Sequence, residues 1–224
     1  MNDAIETIQY KDHQIEIFPD ECGESPRGWE NITEIHYHSR SYVLGDTNWY
    51  GKIDEYDKMI AKAKRQGDLV IPMFAYIHSG VSLSLSSFYG RLPQGHAEFD
   101  SGRAGTVIVR RKKMLEEFGG KIFTQKLKER AYKIAEGDIN TYNQYFMGDV
   151  YGYVVDEDGD SCYGYYGMEY AIEEAKSVVD YIVDQERKEY CEKVEKERKK
   201  HCEKVKQWIK NKVALVYRQS ECLA

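Results

Sequence analysis

Three histidines are the first residues with chemistry in reach. His36 and His38 are two apart. On a strand such residues share a face, so both could reach one metal ion. His78 closes the apolar run Leu69–Ile77 and is the candidate third ligand. A catalytic zinc site needs three protein ligands and one open position. The plainer reading is two half-exposed histidines on a polar strand face. A second set is Asp156-x-Asp158-Gly159-Asp160. It has the oxygen-rich look of a calcium loop, but its glycine is fourth rather than sixth, and Met168 sits near the place of the closing glutamate. An acidic hairpin turn is the expectation. Cys162 follows directly, among acidic neighbours. A nucleophilic cysteine needs a base or positive field, so a buried strand cysteine is expected instead.

Phe99-Asp100-Ser101-Gly102-Arg103-Ala104-Gly105 sets an arginine between two glycines. Backbone amides and Arg103 could cradle an anion there, with Asp100 beside them. The sequence lacks the GK[ST] of a P-loop, and the simpler reading is a glycine turn before a strand. Arg110-Arg111-Lys112-Lys113 could touch phosphate or simply start a solvated helix. The densest aromatic region runs from Tyr142 to Tyr170. Within it Tyr151 and Tyr153 share one sheet face, as do Tyr163 and Tyr165. With Asp156, Asp158 and Asp160 they would make an acidic, tyrosine-rich surface suited to protein recognition. No cofactor motif accompanies any of these sets.

The elements that must position these residues follow from periodicity and breakers. Ile5–Tyr10 and Gln14–Phe18 read as a hairpin, and Thr33–His38 as a strand. Ile53–Gln66 has helical spacing and stops at Gly67. Leu69–Ile77 reads as a central strand, with short strands at Val81–Leu85 and Thr106–Val109. A short helix is expected at Lys112–Phe118 and another at Thr124–Glu136, ended by Gly137. Ile139–Phe146 and Val150–Val155 read as a strand pair, and Cys162–Tyr166 as the strand after the turn. The class is α+β: a mostly antiparallel sheet, flanking helices and a long C-terminal helix.

The 224 residues carry a net charge of −6, and that balance is uneven. Every charged side chain from Gly137 to Glu174 is acidic. Glu186–Arg218 carries twelve basic against six acidic residues, leaving −12 for the remainder. The acidic body argues against direct nucleic-acid binding. No apolar run approaches the roughly 20 residues of a membrane helix. Five scattered cysteines without a CxxC point to a reducing, cytoplasmic setting. Past Gly167 there is no Gly or Pro, so the chain divides into a body at 1–167 and a helical segment at 168–224. That segment carries the stripe Cys191, Val194, Cys202, Val205, Ile209, Val213, Val216, and repeats Cys-Glu-Lys-Val at an interval of eleven. Arg187 and Arg198 interrupt the stripe. A solvated helix with one buried face and a coiled-coil homodimer arm both fit.

Several phrases together carry a resemblance: Trp29-Glu30-Asn31 with Leu44-Gly45-Asp46, the stretch Phe99–Gly105, Gly148-Asp149-Val150-Tyr151-Gly152-Tyr153, and Asp160-Ser161-Cys162-Tyr163-Gly164. Over about residues 29–176 the chain resembles a family of small uncharacterised proteins carried by phages, plasmids and integrated elements. Tyr163 stands where members with the form DSCWG have tryptophan. The resemblance implies a genomic setting in which accessory proteins inhibit host defence, and it carries over no catalytic residue. The leading expectation is therefore a non-enzymatic protein that binds a host or phage protein, such as a restriction or CRISPR-type nuclease complex. A small metal-dependent enzyme using His36, His38 and His78, and a coiled-coil assembly protein, are the alternatives.

Overall fold

The computed structural model describes residues 3–92, 95–156 and 159–221. Two mostly antiparallel sheets, each backed by a long helix, make an α+β architecture. The smaller sheet begins with the expected hairpin of β1 (Glu6–Tyr10) and β2 (His13–Pro19). Its turn residues Lys11 and Asp12 both have positive φ, 50° and 67°, the hand that matches strand twist. The chain then leaves for the larger sheet and returns as β8 (Val150–Val155) and β9 (Ser161–Tyr166), giving the order β1-β2-β8-β9.

The larger sheet has the order β4-β3-β7-β5-β6. At its centre β7 (Ser101–Val109) lies between β3 (Thr33–Tyr37) and β5 (Leu69–Ile77), antiparallel to both. β4 (Thr47–Asn48) and β6 (Val81–Ser84) form the edges. The β-branched run Thr106–Val109 is fully buried, as befits a central strand covered on both sides. Register divides its faces. Ile35, Val107 and Ile71 stand in one row, and His36, Thr106 and Pro72 in the next, pointing the other way.

The first face meets α4 (Gln125–Met147) through Ala131, Ala135, Ile139 and Tyr142. Thr124 caps this helix by accepting from the Leu127 amide. The break expected at Gly137 does not occur, and residues 139–146 are helix rather than strand. An internal glycine costs only about 1 kcal/mol, less than one continuous buried stripe returns. The helix ends instead at Gly148, whose left-handed φ of 68° lets its amide reach the Gln144 and Tyr145 carbonyls. The second face is covered by α1 (Ile53–Gln66), which stops at Gly67 as expected. The short helices α2 (His96–Asp100) and α3 (Arg111–Phe118) precede and follow β7.

The last helix, α5 (Met168–Glu221), is continuous over 54 residues. Its first turns belong to the body: Ala175 and Val179 are fully buried against Ile15, Ile17, Tyr153 and Val155. The small alanines let the helix approach the sheet, and each larger apolar side chain contributes about 1.5–3 kcal/mol on burial. No helix among the described residues is long and apolar enough to cross a membrane.

Gly105 marks a tight contact between strand backbones. A Cβ there would strike the His36 carbonyl oxygen and the Tyr37 Cα, both backbone atoms that cannot yield. Gly102 on the same strand opens onto space. Gly105→Ala is therefore expected to cost about 2 kcal/mol or more, and Gly102→Ala under about 1. Urea unfolding of both variants checks this, and equal losses would contradict it.

Candidate functional site

The α1 side of the larger sheet carries a polar layer, because its row of inward residues is Glu34, His36 and His38 rather than aliphatic. Trp49 organises it. Its indole N–H donates to His36 Nδ1 at 3.1 Å, and its carbonyl oxygen accepts from His38 Nδ1 at 3.3 Å. These contacts place the His36 proton on Nε2 and a His38 proton on Nδ1. His36 Nε2 lies 3.5 Å from Glu34 Oε2. Arg110 donates to the same carboxylate through Nε at 2.9 Å and to Asp68 at 3.0 Å. Tyr56, from α1, shares a buried hydrogen bond with Thr106 and meets His38 edge-on at 4.2 Å.

This geometry answers the metal expectation. His36 is 7 % exposed, with one nitrogen taken by Trp49 and the other carrying hydrogen toward Glu34. His38 is committed to the Trp49 carbonyl through Nδ1. His78 stands two strands away, at the far end of β5, with Nδ1 on Asp100 at 2.9 Å. The three do not converge, and among the described residues no group of three His, Cys, Asp or Glu side chains is placed to hold a metal ion. The sequence spacing put His36 and His38 on one face correctly, but could not show that an indole would occupy the first of them.

The anion cradle is also reassigned. Ser101–Gly105 is not a turn but the first half of β7, with Ser101, Gly102, Arg103 and Gly105 paired to β5 and Gly105 also paired to β3. An extended strand does not curl its successive amides into the concave nest an anion needs. Asp100 is held by His78. Arg103 lines a cavity of about 400 Å³ with His38, Tyr56, Asp57, Ile60 and Lys64. Two cations beside a histidine can hold a small oxyanion, through side chains rather than backbone. Of the basic run, Arg110 is tied down by Glu34 and Asp68, while Arg111, Lys112 and Lys113 are exposed on α3.

The tyrosine surface divides between two faces. Tyr151, Tyr153 and Tyr165 lie on the side covered by α5, and Tyr153 is buried. Burial, and then hydrogen bonding to Cys162 and Tyr153, raises the Tyr165 hydroxyl well above its ordinary range. These three are core because the Ile172, Ala175, Val179 stripe of α5 needs an apolar sheet beneath it. Tyr163 alone of the four is exposed, packed over Gly152 on the outer face. Asp156 is a turn residue whose carboxylate is engaged within the fold. It binds His13 at 2.8 Å and the Gln14 amide at 2.9 Å, and those two bonds hold its carboxyl below the usual range. Asp160 is exposed, and Asp158 lies outside the described residues. Cys162 is exposed, not buried.

A long uncovered surface lies on α5. Every side chain from Glu186 to Lys212 is exposed. Val205 is 40 % exposed, Ile209 49 % and Trp208 59 %, with Tyr190 and Val194 on the preceding turns. Sequence periodicity found Val194, Val205 and Ile209 of this stripe, but not Tyr190 or Trp208, nor that the body would leave it bare. Compared with known proteins, the chain matches no family model, no curated protein and no solved structure.

Glu34 is the most perturbed carboxylate of the polar layer. The His36 imidazole 3.5 Å away, and after it the Arg110 guanidinium, pulls it down from 4.5 to about 2 against the opposing cost of burial. A depressed folded value stabilises the protein fully above pH 4.5 and is lost as pH falls through about 2. The stability gap between the wild type and Glu34→Gln should therefore close over that interval. Urea midpoints measured across the range check it, and a constant gap would contradict it.

Proposed function

We propose that the chain is a non-enzymatic protein-binding accessory protein that engages its partner through the exposed part of α5. The observation that carries this reading is the bare helix itself. A helix in water draws most of its stability from packing of an apolar face. Here 27 consecutive residues, Glu186–Lys212, have no tertiary cover, yet they keep the stripe Tyr190, Val194, Val205, Trp208 and Ile209. Aromatic and aliphatic anchors on an otherwise charged helix are what helix-in-groove and helix-pairing interfaces use. The resemblance to proteins of phages and mobile elements supplies the setting, and interference with a host defence complex is the form of binding that it suggests.

Two charges placed in the stripe test the reading. Val205→Asp with Ile209→Asp should lower capture of a partner by tagged protein, whether a host protein or another copy, by about tenfold or more, since burying an unpaired charge is costly. The melting temperature of the body should hold, because neither residue touches it. Equal capture by the wild type and the double variant would remove the arm as the binding surface.

A further inference from the structure

The cavity between α1 and β7 gathers charged side chains that the fold itself does not use. Arg103, Lys64 and Asp57 all line this space of about 400 Å³. Among the described residues none of the three side chains has a hydrogen-bond or ion-pair partner, so the two cations and the carboxylate share the space without pairing. Arg103 reaches this side through an irregularity in β7. Thr106 pairs with Pro72 and Gly105 with Met73, but Phe74 then pairs with Arg103, leaving Ala104 as an extra residue. Regular alternation would set Arg103 and Thr106 on opposite faces of the sheet. The bulge at Ala104 brings Arg103 round to the face of Thr106 and α1, and re-aiming a side chain is what bulges beside binding sites do. The Ala104 carbonyl also accepts from the His38 amide at 2.8 Å, so the same bulge seats His38 at the cavity wall.

The donors and acceptors of the wall define what would fit. Arg103 and Lys64 supply positive charge and N–H groups. His38 gives its Nδ1 proton to the Trp49 carbonyl, which leaves Nε2 as an acceptor without a partner among the described residues. Asp57 is a second acceptor. The Tyr56 hydroxyl is engaged by Thr106, so Tyr56 contributes its ring. We infer that this cavity binds a small oxyanion that also carries O–H groups, namely hydrogen phosphate or a small phosphate ester. The two cations attract the negative oxygens, as charge-assisted bonds. The P–OH of hydrogen phosphate, or a hydroxyl on the organic part of an ester, donates to Asp57 or His38 Nε2. Sulfate is fully deprotonated and would set lone pairs against both acceptors, so it is disfavoured although its size and charge are alike. The site uses no residue of α5 and stands or falls apart from partner binding there.

NMR titration of the isotope-labelled full-length protein, at neutral pH and constant ionic strength, tests this with sodium phosphate, sodium sulfate and glycerol 3-phosphate. The expected result is saturable shifts around Arg103 and Gly105, with phosphate bound at least about tenfold more tightly than sulfate. Arg103→Gln and Lys64→Gln should each weaken phosphate about tenfold. Asp57→Asn, which replaces an acceptor with an amide that can donate, should narrow the preference over sulfate by about threefold or more. Arg111→Gln, on exposed α3, should leave binding unchanged. Tighter binding of glycerol 3-phosphate than of phosphate would assign the cavity to an ester, and weaker binding to free phosphate; both support the site. Absence of saturable shifts up to about 20 mM phosphate would overturn it. So would sulfate binding equal to phosphate in the wild type, or phosphate affinity unmoved by both Arg103→Gln and Lys64→Gln.

Discussion

A buried arginine holds the body together. The Arg27 side chain is 8 % exposed, and its charge must be met in place. Asp46 meets it with two parallel bonds, Nε to Oδ1 at 2.9 Å and Nη2 to Oδ2 at 2.7 Å. The same guanidinium reaches the Thr33 carbonyl, and Asp138 of α4 lies 4.0 Å away. Arg27 comes from the loop leaving the smaller sheet, Asp46 and Thr33 from the edge of the larger one, and Asp138 from the helix across its face. One ion pair thus joins elements that are distant in sequence, and Asp46 also accepts from the Ile35 amide at 2.7 Å. Removing Asp46 would leave the Arg27 guanidinium enclosed without its counter-charge, a costly state, whereas Asp46, 29 % exposed, keeps access to water. The Leu44-Gly45-Asp46 phrase is therefore explained by architecture. Gly45 fits the same account, since a Cβ there would collide with Ile35.

The consequences run from Asp46 to the polar layer. Fixing Asp46 fixes the segment that follows, which places Trp49, and Trp49 sets the tautomers of both histidines. Glu34, Arg110 and Asp68 then complete a chain of charge across β3, β7 and the start of β5. The opposite face of the same sheet is aliphatic and meets α4, where Tyr142 is so enclosed that burial lifts its hydroxyl to about 12. One sheet thus has a dry face and a hydrogen-bonded face. The hydrogen-bonded one holds the small cavity with Arg103 and Lys64.

Local signals made most of the elements legible in the sequence. Gly67 stopped α1 where expected, Leu69–Ile77 proved to be β5, and the hairpin of β1 and β2 was correct. Gly137 misled, because a strong breaker in a short window was outvoted by Ala131, Ala135, Ile139 and Tyr142 acting over a longer one. Phe99–Gly105 misled for the converse reason: its Gly105 serves close strand approach, a tertiary demand invisible along the chain. The separation of the sheet into two also could not be read, since strand count does not reveal which strands pair. For the site, alternation put Tyr151 and Tyr153 on one face correctly, but the register shift opposite Gly152 sends Tyr163 to the face away from Tyr165, and nothing along the chain showed that α5 would cover the inner face. The histidines shared a face as expected, yet the partner that claimed one of them, Trp49, is separated from it by a loop whose path depends on Arg27.

The unbroken run of α5 has a mechanical meaning. The same helix that is bolted to the smaller sheet by Ala175 and Val179 continues outward with no Gly or Pro to act as a hinge. At about 1.5 Å per residue, Glu186–Lys212 reaches roughly 40 Å from the body. Such a rod behaves as a ruler. Whatever it grips is kept at a set stand-off and orientation, and any torque on the far end is delivered to the sheet where the near end is seated.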